Sequence, residues 1–243
     1  DTNEGKALSP LARALAPRVE GELRARRALD ERAPRRLRVF LADGQRAFVG
    51  TALAEHGDWP LGIPRLRMPR GAPSRSTLKL AEAFAAFLGD DETRLLRAGQ
   101  RAVDLGAAPG GWTWQLVQRG LRVTAVDNGR LRGEVAGDPL VTHVRDDGLH
   151  WRPRRPVDWL VCDIVEQPLR IADLVAAWIA DGAARRAIFN LKLPMKKRYD
   201  EVQRCEQRMA AVLRPTGAHW TLRLRQLYHD REEVTGYLAR DRN

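Results

Sequence analysis

Five of the 42 basic residues in this 243-residue chain are lysines (Lys6, Lys79, Lys192, Lys196 and Lys197), and the other 37 are arginines. Arginine serves wherever only positive charge is wanted. The few lysines either mark places where an arginine would not do, such as one that needs an amine able to lose its proton, or are coincidence in a sample of five. Lys192 ends an apolar run, IFNLKLP, and Lys79 opens a helical stretch, STLKLAEAFAAFL. If both approach Asp163, at the end of the apolar run VDWLVCD, a Lys–Asp–Lys cluster forms. Burial and a neighbouring cation lower a lysine's pKa, whereas a carboxylate raises it and holds the side chain in place. An amine tuned in this way can take the proton of a weakly acidic hydroxyl and so create a nucleophile. A plain structural ion pair is the commoner fate of a lysine beside an aspartate. Glu233, within REEVTGYL, either orients a lysine or binds the target hydroxyl, or else is an exposed edge-strand acid with Glu232 on the opposite face.

The run VDLGAAPGGWT (103–113) reads as a strand, a loop of small residues and the start of a helix. Such a loop lets a ligand lie against bare backbone. A nicotinamide fingerprint would be GxGxxG, and Ala108 and Pro109 break it. No Walker lysine follows the glycines, so phosphate cradling is not expected. Asp127 stands 23 residues after Asp104 at the next strand's tip, where a carboxylate can take both hydroxyls of a ribose. Asp147 ends the strand after that. The set suits S-adenosylmethionine: the loop for its methionine part, Asp127 for ribose and Asp147 for the adenine edge. Ordinary turns beside solvent-facing acids are the alternative, and acids at three successive strand tips weigh against it.

These residues need elements to position them. Hydrophobic periodicity predicts strands at 101–105, 122–126, 141–145, 157–162, 186–191, 218–225 and 232–239. Helices are expected at 76–88 (capped by a Ser or Thr), 110–119, 169–181 and 197–213. Alternating strands and helices imply an α/β fold. Its core is a doubly wound, mostly parallel, seven-stranded sheet with an antiparallel C-terminal hairpin, and ligands bind at the carboxyl ends of its strands. Before it, 8–26 reads as an amphipathic helix, and 38–41 and 46–53 as short strands around Asp43-Gly44. Residues 54–75, with four Pro and three Gly, read as a linker or irregular connection. The first 75 residues are too few to close a core.

Composition bounds the remaining classes. Apolar residues make up 44 % of the chain and charged residues 30 %, which excludes wholesale disorder. There is no transmembrane run and no signal peptide. The chain opens on Asp1 rather than Met, as a fragment or processed form would. Two cysteines, Cys162 and Cys205, give no disulfide framework, and a reducing, cytoplasmic setting fits. A net charge of +11 suggests nucleic acid as partner, or a GC-rich genome inflating Arg. His56, His143, His150, His219 and His229 lack metal-ligand spacing, so no metal is expected. Lys196, Lys197 and Arg198 either meet phosphate or form a solvated face. Trp112 flanks a ligand or belongs to core or rim. Cys162 is not followed by the Pro-Cys of cytosine-C5 methyltransferases, and no Asn-Pro-Pro-Tyr-like motif marks amino-group methylation.

The strings PSRSTLKL, VDLGAAPGGWT, VCDIVEQP, IFNLKLPMKKRYDEV and QLYHDREEVTGYL resemble the bacterial large-subunit ribosomal RNA methyltransferase M family, a 2′-O-ribose branch of the FtsJ-like group. The resemblance runs from about Gly62 to Arg240. It implies a Rossmann-like methyltransferase domain over 76–243, a linker over 61–75 and a partial THUMP-like α+β region over 1–60. It also implies a catalytic set at Lys79, Asp163, Lys192 and Glu233, with Lys192 the proton acceptor. Contacts to S-adenosylmethionine fall on Ser76, Ala108, Pro109, Gly110, Gly111, Asp127, Asp147 and Asp163. The implied substrate is a cytidine ribose of 23S ribosomal RNA. Ala108 departs from the family, whose members often carry Cys there, with little expected effect because the loop presents backbone. The resemblance also implies an earlier N-terminal part, expected to help capture RNA, that the sequence from Asp1 onward does not include. A base methyltransferase and a non-catalytic RNA-binding fragment remain the rival readings.

Overall fold

The computed structural model describes residues 3–30, 32–53, 59, 64–229 and 232–240. His56 and residues 61–63 of the expected linker lie outside these. The chain forms two compact units, 1–58 and 59–243. The first holds helix α1 (Asn3–Ala25) and an antiparallel hairpin of β1 (Arg35–Leu41) and β2 (Ala47–Leu53). The Asp43 carboxylate closes the hairpin turn by accepting from the N–H groups of Gln45 and Arg46, each at 2.8 Å. β1 starts three residues earlier than its apolar pattern suggested, because Arg35 and Arg36 pair with Leu53 and Ala52 and extend the ladder. α1 likewise starts at Asn3 rather than residue 8, and contains no buried residue. A helix and a hairpin without a core do not establish the THUMP-like reading.

The second unit is built on a seven-stranded sheet of order β5-β4-β3-β6-β7-β9-β8. Its strands are β3 (Arg101–Leu105), β4 (Arg122–Val126), β5 (Val141–Val144), β6 (Val157–Cys162), β7 (Ala184–Lys192), β8 (Trp220–Arg225) and β9 (Glu233–Arg240). The first five are parallel, and β9 inserts antiparallel between β7 and β8. Helices α2 (Thr77–Phe87), α4 (Gly111–Val117), α5 (Pro168–Ala180) and α6 (Arg198–Leu213) stand where periodicity placed them, to within a few residues. The short helix α3 (Glu92–Leu95) leads into β3.

One face of the sheet packs on α2 and α4 through Leu80, Phe84, Phe87, Trp112 and Leu116, against Val123, Trp159 and Ile188. The other packs on α5 and α6 through Ile171, Val175, Trp178, Cys205 and Met209, against Leu105, Leu160 and Phe189. Full burial of each large side chain contributes roughly 1.5–3 kcal/mol, so these two layers carry the stability of the unit. In α2, Leu80, Ala83, Phe84 and Phe87 follow the i, i+3, i+4, i+7 spacing of a core-facing stripe. The cap expected at its start is not made. Ser76 is already helical (φ −60°, ψ −21°), so its hydroxyl does not face the first amides and lies instead 2.7 Å from the Ser74 hydroxyl.

Candidate active site

β3 lies between β4 and β6, so connections leave it in opposite directions and a crevice opens at its carboxyl end. Residues 106–110 form the loop there. Gly106 (φ +76°) and Gly110 (φ +114°) take up the left-handed region that side chains avoid. A Cβ on Gly111 would run into the hydroxyls of Ser76 and Ser74 and the Thr77 amide, so glycine alone lets α4 approach the 74–77 turn. Ser74, Ser76, Gly106, Ala107, Ala108, Pro109, Trp112, Asp163, Val165 and Lys192 line a cavity of about 320 Å³.

Four charged side chains meet at one side of this cavity. Register explains the first pair: Lys192 ends β7 directly opposite Glu233, the first residue of β9. The Lys192 Nζ donates to Glu233 Oε1, and to Asp163 Oδ1 at 2.7 Å. Asp163 follows β6, where its N–H binds the Leu105 carbonyl at 3.2 Å. Lys79, in the first turn of α2, donates to Glu233 Oε2 at 3.0 Å and stands 3.8 Å from Asp163 Oδ2. All four are only 13–20 % exposed, and of them Asp163 and Lys192 line the cavity. Two cations and two carboxylates balance in charge, which satisfies the cost of burying them together.

Asn190, fully buried, supports this group from beneath. Its Nδ2 donates to Asp163 Oδ1 at 3.0 Å, and its Oδ1 accepts from Thr235 Oγ1 at 2.9 Å. Glu82 lies one turn after Lys79 and is 2 % exposed. Its carboxylate accepts from the N–H groups of Tyr228 (2.7 Å) and His229 (2.8 Å) and meets the His229 Nδ1 (2.7 Å). It thereby ties α2 to the segment leading into β9. Neither residue was singled out from the sequence. Each carried a signal: a lone amide inside the apolar strand IFNLK, and a lone acid inside the apolar helix TLKLAEAFAAF.

The remaining expected positions are spread along the crevice. Asp127 follows β4; its Oδ2 accepts from the Ala108 N–H (2.9 Å) and its Oδ1 from the Gly129 N–H (2.7 Å). Ala108 thus engages Asp127 through backbone. Asp147 follows β5 and is half exposed, binding the Leu149 N–H (2.9 Å) and His150 Nδ1 (2.8 Å), which hold its carboxyl below the ordinary value in that order. Neither Asp127 nor Asp147 lines the cavity, and Gly110 and Gly111 pack against Val135 and the 74–77 turn rather than facing it. Cys162 is wholly buried, and burial pushes its thiol up to about 12. Lys196, Lys197, Arg198 and the neighbouring Met195 are exposed or nearly so. Among the described residues, no group of three or more His, Cys, Asp or Glu could hold a metal ion, and no helix is long and apolar enough to cross a membrane.

A profile of the FtsJ-like methyltransferases matches residues 72–204. Ribosomal RNA large subunit methyltransferase M of Laribacter hongkongensis is 55 % identical over 242 residues, 99 % of this chain and 69 % of its own length. The Methylococcus capsulatus protein of the same name is 56 % identical over 239 residues, 98 % of this chain and 67 % of its own length. The chain belongs to the ribosomal RNA large subunit methyltransferase M family, within the FtsJ-like methyltransferases. It is a methyltransferase, and the methyl donor of this family is S-adenosylmethionine. Among solved structures, a candidate hemolysin from Streptococcus thermophilus shares the fold, with TM-score 0.54 and 18 % identity over 72 % of this chain and 68 % of that one.

The crevice fits that donor. The loop 106–109 offers bare backbone, and Ser74 and Ser76 offer hydroxyls. Trp112 Nε1, at the cavity wall, is a buried donor with no partner of its own. Asp127 has carboxylate lone pairs left for ribose hydroxyls after its two backbone bonds.

Proposed function

We propose that this chain methylates the 2′-hydroxyl of a cytidine ribose in large-subunit ribosomal RNA, with Lys192 as general base. The observation that carries this reading is the grouping of Lys79, Asp163, Lys192 and Glu233 beside the glycine-loop cavity. S-adenosylmethionine, when bound, supplies an electrophilic methyl group. The loop 106–109 and Ser76 would hold its methionine part, with Gly110 and Gly111 shaping that loop, and Asp127 would hold its ribose, Asp147 its adenine edge and Asp163 its ammonium.

Lys192 Nζ takes the proton of the ribose hydroxyl as the oxygen attacks. Asp163 and Glu233 aim that amine by two hydrogen bonds. Lys79, 3.8 Å from one carboxylate and 3.0 Å from the other, keeps one positive charge beside them while the Lys192 amine lacks a proton. General-base catalysis contributes about 10²–10⁴-fold, and alignment for in-line attack contributes the rest. An arginine could not serve at position 192, because its guanidinium does not deprotonate.

Purified Lys192→Ala should lose methyl transfer to ribosomal RNA by on the order of 10³-fold and keep its affinity for S-adenosylmethionine in calorimetry. Wild-type rates in that variant would refute the base assignment. Digestion of the methylated RNA tests the chemistry itself: ribose methylation blocks alkaline cleavage at that nucleotide, and base methylation does not.

A further inference from the structure

The connection from β5 to β6, residues 145–156, contains turns and no helix. On the sheet face that α5 and α6 cover over β6 and β7, the amino ends of β3 to β5 are therefore left open. Apart from the buried Val103, the residues on that floor are polar. Arg101 lies beside Arg122, and Val103, Thr124 and Thr142 form the next row. In a covered parallel sheet the positions of Arg101, Arg122, Thr124 and Thr142 would be Val, Ile or Leu, as Val103 is. The wall is built by the 151–155 segment, pinned over the core by Trp151 stacked on Trp178 with ring centroids 6.2 Å apart. Floor and wall enclose a cleft of about 310 Å³ that holds four arginines, Arg101, Arg122, Arg154 and Arg155.

These arginines are not spent on ion pairs. Among the described residues, no hydrogen bond or carboxylate engages the guanidinium groups of Arg122, Arg154 and Arg155. That of Arg101 binds only the Pro156 carbonyl, at 2.9 Å. Asp158, the acid alongside, is turned to the Arg101 backbone N–H at 3.0 Å. Four guanidinium groups around one concave surface, with no acid on the lining, attract a polyanion and present bidentate donors to phosphate. The cleft lies at the opposite end of β3 from the methyl-transfer cavity, about 13 Å away along the strand. A single nucleotide cannot occupy both places, whereas a folded RNA can.

We infer that the Arg101–Arg122–Arg154–Arg155 cleft binds backbone phosphates of the RNA substrate, away from the nucleotide that is methylated. This rests on RNA being the substrate. The test uses Arg122→Gln and Arg154→Gln, singly and together, in the full chain. Affinity for a large-subunit ribosomal RNA transcript is read by fluorescence anisotropy over a salt series, alongside methyl incorporation. Each single change should flatten the slope of log affinity against log salt by about 1. The double variant should bind on the order of tenfold more weakly at fixed salt and raise KM for RNA by a similar factor. Thermal midpoint and cofactor affinity should stay as in the wild type. Arg204→Gln, which removes the same charge from the exposed side of α6, should leave the slope where it was. An unchanged slope in the double variant of a chain that still methylates ribose overturns the cleft and leaves the function standing. A flattened slope in a chain that transfers no methyl to ribose does the reverse.

Discussion

Asp104 is the penultimate residue of β3, just before the glycine loop, and it is wholly buried. Thr113 Oγ1 donates to its Oδ2 at 2.6 Å, while its Oδ1 has no partner. Burial above all, with Asp163 adding a smaller push and the Thr113 bond opposing, raises this carboxyl from 3.8 to about 7. The folded chain thus keeps a proton that the unfolded chain has lost. Stability contributed here is complete below about pH 4, falls as pH rises to about 7 and is level beyond, at roughly 1.4 kcal/mol per pH unit. Thermal unfolding between pH 5 and 7.5 should therefore show a fall that Asp104→Asn makes shallower; equal pH dependence in the two proteins would exclude it. Individual residues were legible in the sequence where their type was scarce. Lys79 and Lys192 stood out among five lysines, but Asn190 and Glu82 act through partners 27 and 146 residues away, which no local spacing encodes.

At the scale of elements, the position of Glu233 depends on how the approach to β9 is held. Glu82 holds it with two backbone N–H groups and the His229 ring, and Lys79 rides on the same helix one turn earlier. Glu82→Ala leaves those buried donors unpaired, a loss of about 1–3 kcal/mol. It should lower the melting temperature and also cut methyl transfer more than cofactor binding, because the Glu233–Lys79 contact loses its support. A variant with reduced stability but unaltered kcat and KM would make Glu82 purely structural. Strands and helices were legible because alternating apolar strands and periodic helices are local patterns. Strand order was not: β9 between β7 and β8 is fixed by pairing that spans residues 186–239. The missing cap at Ser76 has a similar cause, since Gly111 packs against that turn from another element.

At the scale of the whole molecule, the large hydrophobic core begins at Leu78, and α1 contributes nothing to it. A chain lacking residues 1–58 should unfold cooperatively within a few degrees of the intact protein and bind S-adenosylmethionine equally well. Calorimetry checks both, and a loss of cooperative unfolding would show that the second unit depends on the first. The catalytic half of the sheet has a further property. Among the described residues β8 pairs with β9 alone, and β9 carries Glu233 as the strand that joins β8 to β7. During translation β8 emerges first and has no place in the sheet until β9 follows it. The residues around Lys192 therefore reach their final arrangement only after β9 has left the ribosome, so a nascent polypeptide that ends before it has no competent centre with which to modify RNA at its site of synthesis.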